Sequence, residues 1–203
     1  SIQCPPGDTP KRSGPAGSRL IHMSPGPLTE RPTIQVWIYR VLEAGMDTAP
    51  SIRFVKCLRA DGVTVPLLFM RYHNHILTCG VMPFLDGCAD AVLHGLIVAD
   101  LPPEDSDRIR VALRARGMAL IPLLAPTSTE ERIQLGTSGA LGFVYCVSVA
   151  GVTGARTELP ESLPAFVARV RVHTSLPIAV GFGVSERRHV EAIGAVADAA
   201  VVG

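Results

Sequence analysis

Short apolar runs alternate with amphipathic segments along the chain from residue 63 onward. The apolar runs predict strands at Val63–Met70, His94–Asp100, Ala119–Ala125, Leu141–Val149, Pro177–Gly183 and Asp198–Gly203. The segments between them predict helices at Met82–Leu93, Pro103–Gly117, Thr129–Leu135, Glu161–Thr174 and Ser185–Ala197. Six strands with a helix between successive strands are typical of a parallel α/β fold.

The predicted helices carry the signals of helices that cover a sheet. In Glu161–Thr174 the apolar residues recur at steps of three and four positions, at Leu163, Phe166, Val167 and Val170. That spacing places them on one face, which we expect to pack against the strands. Either Thr129 or Ser128 is a suitable N-cap for the helix Thr129–Leu135.

The chain ahead of residue 63 has a different pattern. Nearly half of the first 32 residues are Pro, Gly or Ser, so residues 1–26 are expected to be loop-like or disordered. Arg31–Gly45 and Ala49–Ala60 predict two consecutive helices. We expect residues 27–203 to form one partial (β/α)8 TIM barrel, incomplete at both ends. In it strands 3 to 8 are evident, strands 1 and 2 are missing or degenerate, and the last helix is absent.

Composition and charge limit the kinds of partner. The chain has 203 residues, 47% of them hydrophobic, and a formal net charge of +1. These values predict one soluble domain, with no nucleic acid or membrane as partner. We expect a cytoplasmic protein, since no signal-peptide pattern is present. The five cysteines include no C-x-x-C pair, which predicts buried reduced thiols. We expect no metal site and interpret His73 and His75 as exposed loop residues, because no third ligand lies near them.

Two glycine-containing segments follow predicted strands. Gly151-Val152-Thr153-Gly154 comes directly after Leu141–Val149, and Gly181-Phe182-Gly183 ends Pro177–Gly183. Glycines at such positions let backbone N–H groups approach an anion closely, so the two segments predict a phosphate-binding βα barrel. The alternative is that Gly181 and Gly183 serve only tight turns.

Four strings of residues resemble one family. They are G-F-V-Y-C-V-S-V-A-G-V-T-G-A-R-T-E-L at 142–159, L-H-G-L-I-V-A-D-L-P-P-E-D-S at 93–106, V-P-L-L-F-M-R-Y-H-N-H-I-L-T-C-G at 65–80 and L-P-I-A-V-G-F-G-V-S at 176–185. The chain resembles the tryptophan synthase α subunit over about residues 27–203. The resemblance implies an eight-stranded barrel that cleaves indole-3-glycerol phosphate into indole and glyceraldehyde 3-phosphate, a step of tryptophan biosynthesis.

The resemblance also implies a partner. The family's α subunit needs no cofactor of its own and pairs, in an α2β2-type complex, with a β subunit that holds pyridoxal phosphate and consumes the indole. Two alternatives remain open. One is a catalytically impaired barrel that only binds the β subunit, through Asn74 and the loops after strands two, three and six. The other is a truncated gene product that does not fold stably, because missing strands leave open sheet edges.

Residues that match the family's substrate positions lie at predicted strand ends. Those that would line the indole pocket are Met70, Tyr72, Ile97, Tyr145, Thr153, Phe182 and Val201. Those that would hold the phosphate are Gly154, Gly183, Val184, Ser185 and Gly203. Without the resemblance, most of the first group are interpreted as core residues of the barrel interior. Thr153 lies on a loop that the family closes over its substrate.

The family's two catalytic carboxylates have one counterpart in this chain. Alignment on Pro32-Thr33-Ile34-Gln35 places Glu30 at the family's loop aspartate, and Arg19 where the second-strand glutamate is expected. Glu30 is therefore the candidate catalytic residue, since an arginine stays cationic and cannot act as a base. Asp100 is either a carboxylate at the barrel mouth or a cap of the helix that follows it, and the structural role is favoured.

Overall fold

The computed structural model of the chain describes residues 18–25, 37–41, 48–147, 160–181 and 187–202. The strands are β1 (Ser18–Pro25), β2 (Trp37–Val41), β3 (Leu67–Arg71), β4 (Gly95–Val98), β5 (Ala119–Ile121), β6 (Leu123–Leu124), β7 (Val144–Val147), β8 (Ile178–Gly181) and β9 (Ala199–Val202). The helices are α1 (Thr48–Ala60), α2 (His73–Thr78), α3 (Val81–Asp90), α4 (Asp107–Arg114), α5 (Glu130–Thr137), α6 (Leu163–His173) and α7 (Arg187–Gly194). Among the described residues, no helix has the length and apolar character needed to cross a membrane.

The strands form one sheet that closes into a barrel. Their order is β5-β4-β3-β2-β1-β9-β8-β7-β6. The two outermost strands, β5 and β6, belong to one extended segment, residues 119–124, which is interrupted only at Pro122. The pairs from β2 to β5 and from β6 to β9 are parallel. A mostly parallel closed sheet with helices between its strands is a βα barrel, which confirms the predicted α/β fold.

The first two strands differ from the sequence-based expectation. β1 pairs antiparallel with both β2 and β9, and it lies in the segment 1–26 that was expected to be loop-like. β2 lies within Arg31–Gly45, so the prediction of a helix is wrong for residues 37–41. Its residues are mostly aromatic or β-branched, types that favour strands. The division of the chain at residue 26 stays a prediction.

Side chains alternate between the inside and the outside of the barrel, as the period of two in a strand requires. The interior cluster consists of Leu68, Ile97, Ile121, Phe143, Tyr145, Ala179 and Val201. Outward-facing residues pack against the helices instead: Leu67 and Phe69 belong to a cluster that includes residues of α1 and α3. Both faces of the strands are therefore buried, which explains the nearly continuous apolar runs in the sequence.

Most predicted helices and strands are present, with shorter bounds than expected. Helix α6 buries Leu163, Phe166, Val167 and Val170, the four residues of the predicted stripe. Thr129 caps α5, because its hydroxyl accepts a hydrogen bond from the Arg132 N–H at 3.3 Å. Helix α2 was not predicted, since six residues are too few to display a helical period.

The cysteines only partly follow the expectation of buried reduced thiols. Cys88 and Cys146 are buried free thiols, and burial raises the pKa of each to about 12. Cys79 is exposed, and Cys57 is disulfide-bonded, so the expectation is wrong for both. Spacing along the sequence does not show which cysteines meet in the fold.

Candidate active site

The carboxyl ends of the parallel strands meet at one rim of the barrel. At this rim β3 ends at Arg71, β4 at Val98, β7 at Val147 and β8 at Gly181. Sites in βα barrels lie at this rim, because the loops that leave the strands there are free to vary while the barrel stays rigid. The predicted site residues can therefore be compared by their position relative to it.

Four of the predicted pocket residues belong to the interior cluster. Ile97, Tyr145 and Val201 are buried in it, and Met70 packs against it. Met70 lies opposite Ile97 in the register of β3 and β4, and Met70, Ile97 and Val201 lie in the carboxyl-terminal halves of their strands. They provide an apolar lining with one hydroxyl group, that of Tyr145. Such a lining suits an aromatic ring that carries a single polar group.

Gly181 leaves the space that the ring of Tyr145 occupies. A Cβ atom at position 181 would lie 2.8 Å from Tyr145 Oη and 2.6 Å from Val201 Cβ. Both distances are shorter than non-bonded atoms tolerate in a packed interior. Gly181 belongs to strand β8 and is not among the glycines with positive φ. The tight-turn interpretation is therefore wrong for Gly181, which is needed for space.

Tyr72 lies apart from these four residues. It follows the end of β3, and its residue surface is 38% exposed. Its ring meets that of His75 edge to face, with 6.1 Å between the ring centroids. His75 is exposed and His73 half-buried, and the described part of the chain contains no group of three His, Cys, Asp or Glu side chains that could hold a metal ion.

Asp100 has a structural contact at the same rim. Its Oδ1 accepts a hydrogen bond from the backbone N–H of His73 at 2.5 Å. His73 is the first residue of α2, so the carboxylate satisfies an N–H group that has no partner within that helix. The prediction that Asp100 caps the helix that follows it is wrong, because the helices after β4 have no side-chain cap; its structural contact is with the helix after β3 instead.

The other predicted site residues lie outside the described part of the chain. They are Glu30, Thr153, Gly154, Phe182, Gly183, Val184, Ser185 and Gly203. Arg19 is in β1, where its Cα lies opposite that of Arg40.

The sequence did not single out several residues that share the barrel interior with the predicted ones. They are Leu68, Ile121, Phe143 and Ala179. The period of two would have found three of them, because Leu68, Phe143 and Ala179 each precede Met70, Tyr145 or Gly181 by two positions. Arg71 was also missed as a buried residue, since arginine is rarely buried without a partner.

The closed, mostly parallel sheet with helices between its strands defines a βα-barrel protein. The model of the family described as "Tryptophan synthase alpha chain" matches residues 21–203. This chain belongs to that family.

Individual relatives agree with this assignment. The α chain of Roseiflexus sp. (strain RS-1) is 45% identical over 176 residues, which cover 87% of this chain and 67% of the relative. The α chain of Bacillus cereus is 40% identical over 191 residues, covering 93% of this chain and 74% of the relative. The tryptophan synthase of Saccharomyces cerevisiae is 40% identical over 178 residues, but the match covers only 25% of that longer protein.

Solved structures show the same likeness. The tryptophan synthase α2β2 complex of Pyrococcus furiosus contains a chain that matches with a TM-score of 0.71 at 32% identity. The match covers 79% of this chain and 64% of that one. The chain therefore spans about a quarter to three quarters of the length of the relatives named here.

Proposed function

We propose that this chain is the α component of a tryptophan synthase and cleaves indole-3-glycerol phosphate into indole and glyceraldehyde 3-phosphate. The observation that carries the proposal is the meeting of Met70, Ile97, Tyr145 and Val201 in one interior cluster of the barrel. The ring of Tyr145 packs closely against Gly181. This close packing holds the ring in one place, so the Tyr145 hydroxyl has a fixed position in the interior cluster.

We assign the two ends of the substrate to two different sets of residues. The apolar lining supports placement of the indole ring inside the barrel, with Tyr72, Thr153 and Phe182 completing the pocket from the loops. The phosphate is assigned to the backbone of Gly154, Gly183, Val184, Ser185 and Gly203. N–H groups that follow the last strands of a βα barrel are the usual phosphate donors in this architecture.

The reaction is a retro-aldol cleavage: the bond between the indole ring carbon and the adjacent glycerol carbon breaks, and the catalytic groups have only protons to move. One group must accept the indole N–H proton, and another must remove a glycerol hydroxyl proton and protonate the ring carbon. We assign the first role to Glu30 and propose no cofactor on this chain, with pyridoxal phosphate confined to the partner. Arg19 stands at the family's glutamate position and, as a permanent cation, cannot act as that base. Glu30 is one methylene longer than the family's aspartate, and a misplacement of about 1 Å costs on the order of 10²-fold in rate. We therefore expect slow turnover.

A second candidate function is binding of a β subunit without catalysis. Large apolar side chains follow β3 in the chain and are exposed: Leu77 and Met82 are 53% and 51% exposed, and Tyr72 lies beside them in sequence. Exposed apolar groups close together are typical of interaction surfaces. We propose that this surface, with Asn74, contacts a β subunit whether or not the barrel is active.

Two further inferences belong to this proposal. The first two barrel strands are degenerate, and the antiparallel direction of β1 supports this. The location is the cytoplasm, as expected of a chain that belongs to a family of biosynthetic enzymes.

The deciding experiment measures indole release from indole-3-glycerol phosphate in the presence of excess β subunit. Release that falls in Glu30→Ala supports the lyase and the role of Glu30. Release that is unchanged in Glu30→Ala contradicts that assignment. No release, together with measurable binding of the β subunit, supports the second function. A cooperative thermal transition would contradict the alternative of a chain that does not fold.

A further inference from the structure

Val147 is the last residue of β7 and continues the inward face of that strand. Tyr145 belongs to the interior cluster, whereas Cys146 belongs to a cluster that faces the helices. Because successive side chains of a strand point to opposite sides, Val147 points inward like Tyr145. Val147 therefore extends the barrel lining beyond the interior cluster, toward the carboxyl rim.

Val147 lies on one level with two other inward positions. The register places Val147 opposite Gly181, and Gly181 opposite Val201. The end of the Tyr145 side chain reaches this level, since a Cβ atom at Gly181 would lie 2.8 Å from Tyr145 Oη and 2.9 Å from Tyr145 Cε2. Val147 thus shares its level in the barrel with the Tyr145 hydroxyl.

Exposure distinguishes Val147 from the other two members of this level. Gly181 and Val201 are buried, as are the members of the interior cluster, whereas Val147 is half-buried. Buried side chains that fill the barrel leave no room for an aromatic ring between them. A bound ring must therefore rest on the rimward side of the interior cluster, where Val147 has accessible surface.

We propose that Val147 is a specificity-determining residue: the volume of its side chain limits which substituents the benzene ring of a bound indole can carry. This inference rests on the proposed function, since it takes the ring of indole-3-glycerol phosphate as the occupant of the barrel mouth. One methylene group more or less in an apolar pocket changes relative affinity by roughly 10–200-fold. Exchange of this valine for a smaller or larger residue should therefore have a measurable effect.

The test measures, by calorimetry on the whole chain, the binding of indole and of each methylindole that is substituted on the benzene ring. We expect Val147→Ala to raise the affinity for at least one methylindole, relative to indole, on the order of tenfold. Val147→Ile adds a methylene group and should lower the same ratio. A merely structural role of Val147 would change Tm and leave this ratio as it is in the unaltered chain.

Val98→Ala is the matched control. Val98 is also the last residue of a parallel strand, β4, but it belongs to the cluster between the strands and the helices. This variant should lose stability and keep the ratio of the unaltered chain. The proposal is overturned by a ratio that neither Val147 variant changes, by an equal change in Val98→Ala, or by absence of indole binding to the unaltered chain.

Indole release from indole-3-glycerol phosphate is measured separately, with excess β subunit. If the unaltered chain releases no indole but the Val147 variants shift the ratio as expected, the proposed lyase is contradicted and the role of Val147 is supported. If the chain releases indole while the ratio stays the same in both variants, the lyase is supported and the role of Val147 is overturned.

Discussion

His94 and Asp198 make the same contacts at the starts of two strands on opposite sides of the barrel. The His94 N–H donates to the Leu67 carbonyl at 2.8 Å, and its Nδ1 accepts from the Leu67 N–H at 3.3 Å. The Asp198 N–H donates to the Ile178 carbonyl at 2.9 Å, and its Oδ2 accepts from the Ile178 N–H at 2.8 Å. Each side chain thus forms a clamp between the starts of two neighbouring strands: His94 joins β4 to β3, and Asp198 joins β9 to β8.

An arginine completes both arrangements. Arg171 Nη2 lies 2.7 Å from Asp198 Oδ2, and Arg59 Nη2 lies 3.0 Å from His94 Nδ1. Both arginines come from the helix that leads into the neighbouring strand: Arg59 from α1, which precedes β3, and Arg171 from α6, which precedes β8. The two sites differ in one respect: Asp198 offers a negative charge, whereas His94 offers a neutral ring nitrogen.

His94→Asp should therefore stabilise the protein. The substitution gives Arg59 an anionic partner in the geometry already present at Asp198, and we expect a gain of about 0.5–1 kcal/mol in the free energy of unfolding. Denaturant unfolding measures it. The reciprocal change, Asp198→His, should lose a similar or larger amount. Equal stability of all three chains would show that the charge at these positions has no effect.

Stability should fall on mild acidification because of His94. Arg59 Nη2 and the Leu67 N–H both donate to Nδ1 of His94, so this nitrogen must be unprotonated. Burial, together with the charge of Arg59, lowers the pKa of His94 below its usual 6.5. Below pH 6.5 the unfolded chain takes up a proton at this position before the folded chain does. The contribution of His94 is therefore complete above pH 6.5 and is lost as the pH falls from there through the lower pKa of the folded state.

The measurement for this prediction is Tm between pH 7.5 and 5. His94→Gln keeps a polar side chain but does not titrate, so its Tm should decline less over this range. A decline as steep in His94→Gln as in the unaltered chain would assign the pH dependence to other groups.

Val92 has a backbone conformation that suits glycine. Its φ is +59°, in the left-handed region, where a β-branched residue is strained by on the order of 1–2 kcal/mol. Arg59 holds its carbonyl through Nε at 3.3 Å and Nη2 at 2.9 Å. Val92→Gly should raise the free energy of unfolding by about 1 kcal/mol, measured by denaturant titration. Val172→Gly, at an exposed helical position, should lower it by about 0.5–1 kcal/mol.

Gly181→Ala should disturb the pocket directly. The added methyl group would meet Tyr145 and Val201, and neither the strand backbone nor a buried ring yields easily, so we expect a loss of about 1–3 kcal/mol. Gly136→Ala is the matched control. Its added carbon would lie 3.4 Å from its nearest neighbour, Leu124 Cδ2, and alanine favours the helix there. Similar stability of the two variants in thermal unfolding would argue against close packing at Gly181.

The sequence predicts those features of this fold that depend on local pattern. The stripe of α6 and the Thr129 cap are present because spacing and hydrogen-bonding chemistry within a few residues decide them. The grouping of Met70, Ile97, Tyr145 and Val201 was predicted only through the family resemblance, since it depends on the closure of the sheet. The clamp at His94 depends on residues 27 and 35 positions away. No local sequence pattern predicts contacts between residues so far apart in the chain.

Asp100 provides a test that separates structural from catalytic use of a carboxylate at the barrel rim. Its oxygen satisfies the His73 N–H, so Asp100→Ala should destabilise the chain by about 1 kcal/mol. Asp100→Asn keeps an acceptor oxygen in the same place and should lose less. Indole release in Asp100→Asn should equal that of the unaltered chain, because a capping oxygen need not be charged. If Asp100→Asn retained its stability but lost indole release, the carboxylate would have to act on the substrate, and the capping contact would be secondary.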